Sequence, residues 1–358
     1  MPFARAFQLA GLVVTLALLL TACHSSRAPA HESKGVVRAR GCTRLVHPGA
    51  GLQRFVDGLR AGAQACLAPG TYRAAKLTVR RSGRRGARIV LRSEDPGQPA
   101  TIDGSVWLTN AANYVTVSDV RIVGGSSTLP AVIVNGDHSV WSRDDVSNPP
   151  SGGRAGGICF SLGQLGRWGY AGDTTIEHSV VHDCGRSTNM NQGIYVEATT
   201  GRTIIRDNWI YRNGDRGVQL YPAARNVLVS HNVIDGNGSG VIFSGDGKYA
   251  SSGVVVTGNI ISNSKVRWNV ESSYPGSVVG SGNVVAGNCL WASGAKQFYD
   301  RSGGVAPEEG FTVAGNNVVQ RPHFAGSGDL RLSSGSGCRG YGPRGRTPPG
   351  LAAAALGR

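Results

Sequence analysis

The chain has 358 residues, of which 53 are glycine, and it carries a formal net charge of +15 with a pI near 10.0. Glycine at this frequency, falling singly between Val- and Ile-rich runs, excludes a mainly α-helical protein and favours many short strands joined by turns. The composition does not change between Thr71 and Cys338, so a single large domain is expected there.

The N-terminal segment has the features of an export signal. Arg5 precedes a short apolar run that ends in Leu20-Thr21-Ala22-Cys23, so residues 1–22 are predicted to be a signal peptide. This ending resembles the lipobox of bacterial lipoproteins, which implies that Cys23 is acylated; a plain secretory signal is the alternative. Residues 23–34 are small and polar and predict a flexible tether. We therefore expect an exported lipoprotein, extracellular or periplasmic, that meets the membrane only through its lipid.

Basic residues are concentrated in the N-terminal part of the chain, opposed there only by Asp57, Glu94 and Asp95. They are Arg38, Arg40, Arg44, Arg54, Arg60, Arg73, Lys76, Arg80, Arg81, Arg84, Arg85, Arg88 and Arg92. A field of this sign concentrates anionic polymers or lies against anionic lipid, although solubility alone would also explain it. Basic and aromatic runs do not interleave and the protein is expected outside the cytoplasm, so nucleic-acid binding is not expected.

Residues 51–63 contain apolar side chains at helical spacing, namely Leu52, Phe55, Val56 and Leu59. Strands are predicted to begin soon afterwards, at Pro69-Gly-Thr-Tyr72. A stack of strands exposes its first core residues and its first edge unless something covers them. The short helix is therefore predicted to cap this end.

An asparagine recurs after Val- and Ile-rich runs through the second half of the chain. The column consists of Asn208, Asn232, Asn259 and Asn283, at steps of 24, 27 and 24 residues, and is extended upstream less regularly by Asp119, Asp145 and Ser179. A period near 25 residues with three β-branched runs matches one coil of a parallel β-helix. The sequence therefore predicts an all-β solenoid of roughly ten coils, with the asparagines stacked inside a turn.

The first strand of each coil begins at a glycine. Gly193-Ile-Tyr-Val-Glu197, Gly217-Val-Gln-Leu-Tyr221 and Gly240-Val-Ile-Phe-Ser244 align with Gly157-Ile-Cys-Phe-Ser161. Alternation predicts that Ile194, Val196, Val218, Leu220, Val241 and Phe243 point into the core. It predicts that Tyr195, Glu197, Gln219, Tyr221, Ile242 and Ser244 face outward on one sheet.

Six of the seven cysteines remain once Cys23 is set aside, an even number that suits an oxidising compartment. Sequence alone allows many pairings. Pairing each cysteine with the next one in the sequence favours Cys42–Cys66 at the N-terminal cap, Cys159–Cys184 on adjacent coils and Cys289–Cys338 at the far end. A zinc site is the competing interpretation, but no Cys-x-x-Cys or paired histidine spacing supports it.

These features together resemble a known family. Its signs are Leu67-Ala-Pro-Gly-Thr-Tyr72, the Asn-centred coils, Arg321-Pro-His-Phe324, Gly328-Asp-Leu-Arg-Leu332 and Ser336-Gly-Cys338. The chain is similar to the right-handed parallel β-helix repeat proteins of actinobacteria and their relatives. The resemblance implies one β-helix domain over residues 35–340, followed by a Gly-, Pro- and Arg-rich tail, 341–358, that is expected to be disordered.

The resemblance is less informative about function, because this superfamily includes lyases, epimerases, hydrolases and uncharacterised members. Thr101-Ile-Asp-Gly104 and the Pro-Gly-Thr-Tyr motif are similar to the first coils of chondroitinase-B-type and alginate lyases. Polygalacturonase signatures and the pectate lyase Arg-x-Pro-x-x-Arg are missing. Val181-His-Asp-Cys184 differs from the Asp-Pro-His-Asp of mannuronan epimerases. An acidic polysaccharide is the implied partner, and a monomer is expected.

In β-helix polysaccharide enzymes the groove runs over the first sheet, so the resemblance selects Tyr195, Glu197, Gln219 and Tyr221. Lyase or epimerase chemistry on a uronic acid needs a cation beside the carboxylate and a base for the adjacent proton. Tyr195 and Tyr221 are candidate acid or base. Glu197 is a candidate Ca²⁺ ligand, and Arg216 could face the carboxylate directly, without any cofactor. The alternatives are sugar stacking for the tyrosines, a solvated charge for Glu197 and an ion pair with Asp215 for Arg216.

His182 precedes the longest turn in this region, 185–192, and alternation places it outward beside Tyr211 on another sheet. It is a candidate acid or base, with an ordinary surface histidine as the alternative. The turn is long enough to fold over the groove and bring Asn191 to a ligand. Asp246 and Lys248 indicate a turn.

Two functional hypotheses follow. The first is a lyase or epimerase acting on acidic polysaccharide. The second is a non-catalytic surface lipoprotein that binds glycan or envelope components. A deep charged groove over Tyr195 and Tyr221 would favour the enzyme, and a flat open sheet would favour binding.

Overall fold

In the computed structural model, short runs of β-branched residues form strands that stack into a parallel β-helix. The structure describes residues 41–150, 156–186, 190–292, 303–326 and 328–345. The predicted signal peptide, tether and acylation site at Cys23 lie outside these residues. The described part completes about nine turns, close to the roughly ten predicted. Each full coil contributes one strand to each of three parallel sheets, which we number 1, 2 and 3.

Sheet 2 contains 11 strands, each paired in parallel with its equivalent in the next coil. They are Arg44–Val46, Gln64–Leu67, Ile89–Ser93, Val115–Ser118, Val140–Ser142, Thr175–Glu177, Thr203–Arg206, Val227–Ser230, Val255–Thr257, Val284–Ala286 and Thr312–Val313. Their inward side chains, such as Trp141, Ile176 and Ile205, are fully buried.

Sheets 3 and 1 belong to one 18-stranded network, because Thr71–Val79 and Thr101–Leu108 run from sheet 3 into sheet 1. Sheet 3 continues with Arg121–Val123, Asp145–Ser147, Val180–His182, Trp209–Tyr211, Val233–Asp235, Ile260–Ser262, Cys289–Trp291 and Val318–Val319. Sheet 1 continues with Val132–Val134, Phe160–Leu162, Ile194–Thr200, Arg216–Ala223, Ser239–Asp246 and Val270–Ser273. Short side strands are Ala171–Gly172, Tyr249–Ala250 and the hairpin Phe324–Gly326 with Asp329–Leu332.

The N-terminal helix is shorter than its sequence pattern, spanning Leu52–Asp57, and it ends at Gly58. Leu52 and Val56 are buried against the first coil. The Gln53 side chain donates to the carbonyl of Thr78 at 2.8 Å and accepts from its amide at 2.9 Å. The helix is therefore fixed to the first strand of sheet 1.

The core is built by strict alternation along sheet 1, as predicted. The six expected core side chains, Ile194, Val196, Val218, Leu220, Val241 and Phe243, are all fully buried. One alignment was wrong: Phe160 pairs with Ile194, so Cys159 and not Gly157 lies opposite Gly193. The shift is two residues and therefore leaves the inward and outward faces unchanged.

The asparagine column occupies the turn between sheets 2 and 3. Asn232 Oδ1 accepts from the amide of Asn208 at 2.9 Å, and Asn259 Oδ1 accepts from the amide of Asn232 at 2.9 Å. The next member is Asn288, not Asn283, because that coil is longer and its step is 29 residues. Asn283 instead precedes sheet 2 and donates to Ser251 and Gly310.

The upstream members of the column also differ from the prediction by one residue. Asp144 accepts from the amide of Val120 at 3.1 Å, so it occupies the position expected for Asp145. Val120 occupies the position expected for Asp119. The predicted position of Ser179 in the column is confirmed, because its hydroxyl oxygen accepts from the amide of Asp144. Seven turns between sheets 2 and 3, from Ser118 to Cys289, each contain two residues.

All three predicted disulfides are present: Cys42–Cys66, Cys159–Cys184 and Cys289–Cys338. Among the described residues, the core clusters and these bridges lie within residues 42–341, so the chain from Gly35 onward contains all of this core. No helix in the described ranges has the length and apolar character needed to span a bilayer.

The C-terminal segment lies across the outer face of sheet 3. Leu330 and Cys338 cover an apolar row that includes Trp209 and Ile260. Residues 341–345 were assigned to a tail predicted to be disordered, but the amide of Gly342 donates to the carbonyl of Gly258, and that of Arg344 donates to Asp207. These two bonds hold the chain to the sheet as far as Arg344, and residues 346–358 lie outside the described residues.

Candidate functional site

The outer face of sheet 1 carries one continuous row of side chains from adjacent coils. Register pairs Trp107 with Ile133, Ile133 with Ser161, and Ser161 with Tyr195, and the row continues to Gln219. Successive strands lie about 4.8 Å apart, so this row forms the floor of a long surface.

A pocket of about 300 Å³ opens on this floor at its N-terminal end. Its chemically distinctive lining residues are Lys76, Trp107, Asn135, Ser161, Trp168 and Glu197. The pocket therefore combines two indoles with one ammonium group and one carboxylate.

The two indoles stand at right angles to each other. Trp107 lies on the sheet, and Trp168 projects from the loop 163–170 with its ring centroid 4.9 Å from that of Trp107. Trp107 Nε1 donates to Asn135 Oδ1 at 2.8 Å, and Asn135 Nδ2 donates to the carbonyl of Gly169 at 3.1 Å. Asn135 thus holds both the floor and the loop in place. The Arg167 guanidinium lies 4.6 Å from the centroid of the Trp168 ring, and this side chain remains 37% exposed, so part of the ring is accessible to a ligand.

The charged groups of the pocket come from coils far apart in sequence. The Lys76 ammonium lies 4.9 Å from the centroid of the Trp107 ring, in a cation–π contact. Glu197 Oε1 accepts a hydrogen bond of 3.0 Å from the amide of Leu165, which ties the loop to sheet 1. Burial raises the pKa of Glu197, although this hydrogen bond opposes the change.

Glu197 was also a candidate calcium ligand. Calcium takes six to eight oxygen ligands, and here the carboxylate has Lys76 in the same pocket and already accepts a bond from Leu165. Among the described residues, no group of three or more His, Cys, Asp or Glu side chains could hold a metal ion. Calcium binding at Glu197 therefore stays a prediction, and no catalytic step is assigned to it.

Tyr195 and Tyr221 form a stacked pair next to this pocket, with ring centroids 6.5 Å apart and an interplanar angle of 20°. The Tyr221 hydroxyl donates to Asp246 at 3.0 Å. Burial raises the pKa of both phenols, and the nearby carboxylates raise it further. Neither phenol therefore ionises readily to act as a base, whereas the rings are well placed for stacking.

Gln219 and Arg216 belong to a polar network on the same sheet. Gln219 Oε1 accepts from Gln192 Nε2 at 2.6 Å. Arg216 Nη1 lies 2.5 Å from Asp215, which is fully buried and also pairs with Arg267. Burial raises the pKa of Asp215 against the effect of both arginines. Arg216 thus forms the ion pair with Asp215 that was the alternative to a role in binding the carboxylate. Its side chain is only 14% exposed.

His182 lies on sheet 3, away from the pocket. Its ring stacks on Tyr211 with centroids 5.3 Å apart, as alternation predicted. Nε2 lies 2.9 Å from Asp145 and Nδ1 lies 2.6 Å from Asp183. Burial alone would lower the pKa of His182, but the two carboxylates raise it to about 9. The histidine is therefore part of a charge cluster on sheet 3, whereas Tyr195 and Tyr221 lie on sheet 1.

Asn191 is buried in the turn before sheet 1. Its Oδ1 accepts from the amide of Arg186 at 3.0 Å and its Nδ2 donates to the carbonyl of Met190 at 2.8 Å. It shapes the turn and does not point over the groove. The turn Asp246–Lys248 is a hairpin loop, as its sequence indicated.

Sequence reasoning thus found Glu197 and the tyrosine pair but missed Lys76, Trp107, Asn135 and Trp168. Alternation along Thr101–Leu108 would have faced Trp107 outward, between the core residues Val106 and Leu108. No periodic signal could have found Trp168, because its loop interrupts the coil pattern.

The comparisons with known proteins bear on the fold. A family model described as right handed beta helix region matches residues 104–318. No curated protein sequence matches the chain. Among solved structures, pectate lyase Pel9A is 13% identical with a TM-score of 0.52, covering 83% of this chain and 89% of that one.

Two further solved structures are similar at lower TM-scores. An alginate lyase from Paenibacillus sp. str. FPU-7 is 17% identical over 69% of this chain and 95% of that one, with a TM-score of 0.48. A tailspike protein mutant of E. coli bacteriophage HK620, in complex with pentasaccharide, is 13% identical over 69% and 55%, with a TM-score of 0.45. The family match spans more than half of the chain and agrees with the three-sheet solenoid, so the protein belongs to the right-handed β-helix family.

Proposed function

We propose that this protein binds an acidic polysaccharide along sheet 1, with one sugar unit in the pocket between Trp107 and Trp168. The observation that carries the proposal is the pocket itself, where an exposed indole, a second indole and the Lys76 ammonium meet in about 300 Å³. Indole faces pack against the apolar faces of sugar rings, and the ammonium group pairs with a sugar carboxylate.

The stacked tyrosines extend this surface. Tyr195 lies one strand beyond Ser161, which lines the pocket, so a chain lying across the coils passes from the indoles to the tyrosine rings. Pel9A shares the fold and is named a pectate lyase, which makes pectate the first glycan to test.

Binding is tested on the chain from Gly35 onward by affinity electrophoresis and calorimetry with pectate, alginate and chondroitin. Trp168→Ala removes an exposed ring without touching the core and is expected to weaken binding about tenfold, equivalent to roughly 1.4 kcal/mol. Lys76→Ala is expected to weaken binding to acidic chains selectively.

The matched control is Tyr114→Ala. Tyr114 also lies under a cation, with the Arg88 guanidinium 5.9 Å from its ring centroid, but it borders sheet 2. Its loss is expected to leave affinity unchanged. Equal binding by wild type, Trp168→Ala and Lys76→Ala would show that the pocket is not the glycan site.

A second candidate function is eliminative cleavage or epimerisation at the same pocket, favoured by the Lys76 ammonium and the Glu197 carboxylate that line it together. Burial raises the pKa of Glu197, which suits a base. Lys76 would pair with the uronate carboxylate while Glu197 accepts the proton from the adjacent carbon. In cleavage the neighbouring carbon–oxygen bond then breaks and the departing oxygen takes a proton from water. In epimerisation a water molecule protonates the carbon from its other face, and the proton on Glu197 passes to the resulting hydroxide.

The two reactions are measured separately. Cleavage gives an unsaturated product that absorbs in the ultraviolet, and epimerisation incorporates deuterium from heavy water into an uncleaved polymer. Both are run with added Ca²⁺ and with a chelator, since a calcium requirement stays a prediction. Glu197→Gln retains an acceptor for the Leu165 amide and should abolish either activity. No product and no deuterium uptake, with binding intact, would leave glycan binding as the function.

We also propose that the protein is exported and acylated at Cys23. Three disulfides within the folded body support an oxidising compartment. Mass spectrometry of the protein from its membrane fraction should find a diacylglyceryl group on Cys23. Release of an unmodified chain, unchanged by Cys23→Ser, would overturn acylation.

A further inference from the structure

Seven exposed arginines surround the N-terminal helix and the turn that follows it. We call this set the basic cap; it consists of Arg44, Arg54, Arg60, Arg80, Arg81, Arg84 and Arg85. The cap lies at the end of the solenoid where the described chain begins. The glycan pocket described above does not use these side chains.

Hydrogen bonds bring the parts of the basic cap together. Arg44 Nη1 donates to the carbonyl of Gly58 at 2.7 Å, and Arg81 Nε donates to the carbonyl of Asp57 at 2.9 Å. The amide of Gly62 donates to the carbonyl of Ala87 at 2.9 Å, so the loop that follows Val79 lies against the turn after the helix. The arginines therefore form one surface although they come from three segments.

The basic cap is hardly neutralised. Among the described residues, the only carboxylate within ion-pair distance of it is Asp57, 3.8 Å from Arg80. Arginines further along the solenoid are paired at short range: Arg121 with Asp145, Arg143 with Asp119, and Arg206 with Glu177. Seven exposed arginines with a single carboxylate in range therefore give this end a high local density of positive charge.

We propose that the basic cap binds the surface of an anionic lipid bilayer, so that the protein meets its membrane through the folded body as well as through a lipid anchor. Each arginine near an anionic membrane contributes roughly a fivefold gain in partitioning. The cap surrounds a short helix at one end of the solenoid, and its seven arginine side chains are all exposed. This arrangement matches a planar layer of lipid phosphates. A single extended polymer chain would be held better by a groove.

The chain connection favours a membrane over other anionic partners. Cys23 precedes Gly41 by 18 residues, a length that spans at most about 65 Å when fully extended. If Cys23 is acylated, the basic cap stays within that reach of the bilayer, which raises its effective concentration there. The cap does not depend on the proposed glycan binding.

The test uses the chain from Gly35 onward, which contains the whole core and all three disulfides but lacks Cys23, so any binding comes from the folded body. Sedimentation is measured with phosphatidylcholine vesicles with and without phosphatidylglycerol, over a series of salt concentrations. Wild type is expected to sediment with the anionic vesicles only, and less as salt rises.

The diagnostic variant is Arg80→Glu/Arg84→Glu/Arg85→Glu, which is expected to lower partitioning by about a hundredfold or more. Arg225→Glu/Arg321→Glu/Arg339→Glu makes the same change in net charge at exposed sites outside the cap and should keep most of the binding.

Three outcomes would overturn the proposal. If the wild-type protein does not sediment with anionic vesicles, the cap does not bind lipid. Equal losses in the two triple variants show that net charge alone is responsible. A cap variant that binds vesicles normally but loses pectate or alginate shows that the cap serves the glycan.

Discussion

The indole nitrogen of Trp107 donates a hydrogen bond of 2.8 Å to the side-chain oxygen of Asn135, one coil further along. The amide nitrogen of Asn135 in turn reaches the carbonyl of Gly169, next to Trp168. One buried amide therefore sets the positions of both aromatic rings of the pocket.

Asn135→Ala is expected to weaken glycan binding about tenfold and to lower the free energy of unfolding by about 1–3 kcal/mol, because it leaves the Trp107 N–H and the loop without their partner. Calorimetry and urea unfolding measure the two effects. Asn113→Ala, which removes one acceptor for the Asp137 amide at a different turn, is the control and should leave affinity intact. Normal affinity in Asn135→Ala would mean that the rings hold their positions without it.

The His182 cluster predicts how stability depends on pH. The pKa of this histidine is raised to about 9, above its ordinary value near 6.5, so the charged form is favoured in the folded state. Its contribution is fully present below about pH 6.5 and is lost as pH rises through about 9. The loss is on the order of 3 kcal/mol at most. Urea unfolding of wild type and His182→Gln across this range should show the difference between them shrinking as pH rises.

Asp183 contributes in the opposite range. Burial would raise its pKa, but hydrogen bonds from His182 and Arg212 outweigh burial and hold the pKa well below its usual range. Its contribution is therefore present above about pH 4 and is lost in stronger acid. Asp183→Asn should destabilise the protein at neutral pH and make little difference in strong acid. A constant difference at all pH values would contradict this assignment.

The asparagine column predicts a large effect from a single amide. Asn232 accepts from the backbone and side chain of Asn208 and donates to Ile205 and Asn259. Asn232→Ala leaves these buried groups unpaired and is expected to cost about 3 kcal/mol or more in unfolding free energy. Asn316→Ala removes one exposed hydrogen bond at another turn and should cost less than about 1 kcal/mol. Similar losses in the two variants would argue against the column as the main support of this turn.

The disulfide Cys289–Cys338 fastens the C-terminal segment over sheet 3. It closes a loop of 49 residues, whose opening is expected to cost about 4 kcal/mol by chain entropy. Limited trypsin digestion of Cys289→Ser/Cys338→Ser should cut first near Arg331 and Arg339. Cys42→Ser/Cys66→Ser is the control, in which early cleavage is expected at the N-terminal end instead. Unchanged resistance of the C-terminal segment would show that its packing on Trp209 and Ile260 suffices without the bridge.

The tyrosine pair is expected to act through its rings. Tyr195→Phe and Tyr221→Phe should bind pectate within about threefold of wild type, because the stacked faces remain, whereas Tyr221→Ala should weaken binding severalfold. If either phenylalanine variant abolished binding or turnover, a hydroxyl would be essential and the role assigned here to the rings would be wrong.

The fold could be predicted because its determinants are local and repeated. Alternation along Ile194–Thr200 and its equivalents fixes which side chains are buried, and a buried Asn in each of the turns from Asn208 to Asn288 marks the coil period. The error at Asn283 arose because Val284–Ala286 is preceded by Gly282-Asn283 and followed by Gly287-Asn288, and only the actual coil length decides between the two asparagines.

The site was less predictable because its residues are brought together by stacking. Lys76, Trp107 and Trp168 come from different coils, and Trp168 lies on a loop with no repeat signal. The sequence suggested His182 and Asn191 because their residue types suit chemistry, but burial and hydrogen bonding commit one to a charge cluster and the other to a turn.

The constant two-residue turn between sheets 2 and 3 has an evolutionary consequence. Since that turn does not vary from Ser118 to Cys289, differences in coil length fall on the two corners that border sheet 1. Insertions and deletions there alter the rim of the binding surface while the asparagine column keeps its register. Such a scaffold can acquire new ligand specificity by exchanging loops such as 163–170, much as an antibody domain does, without a change in its core.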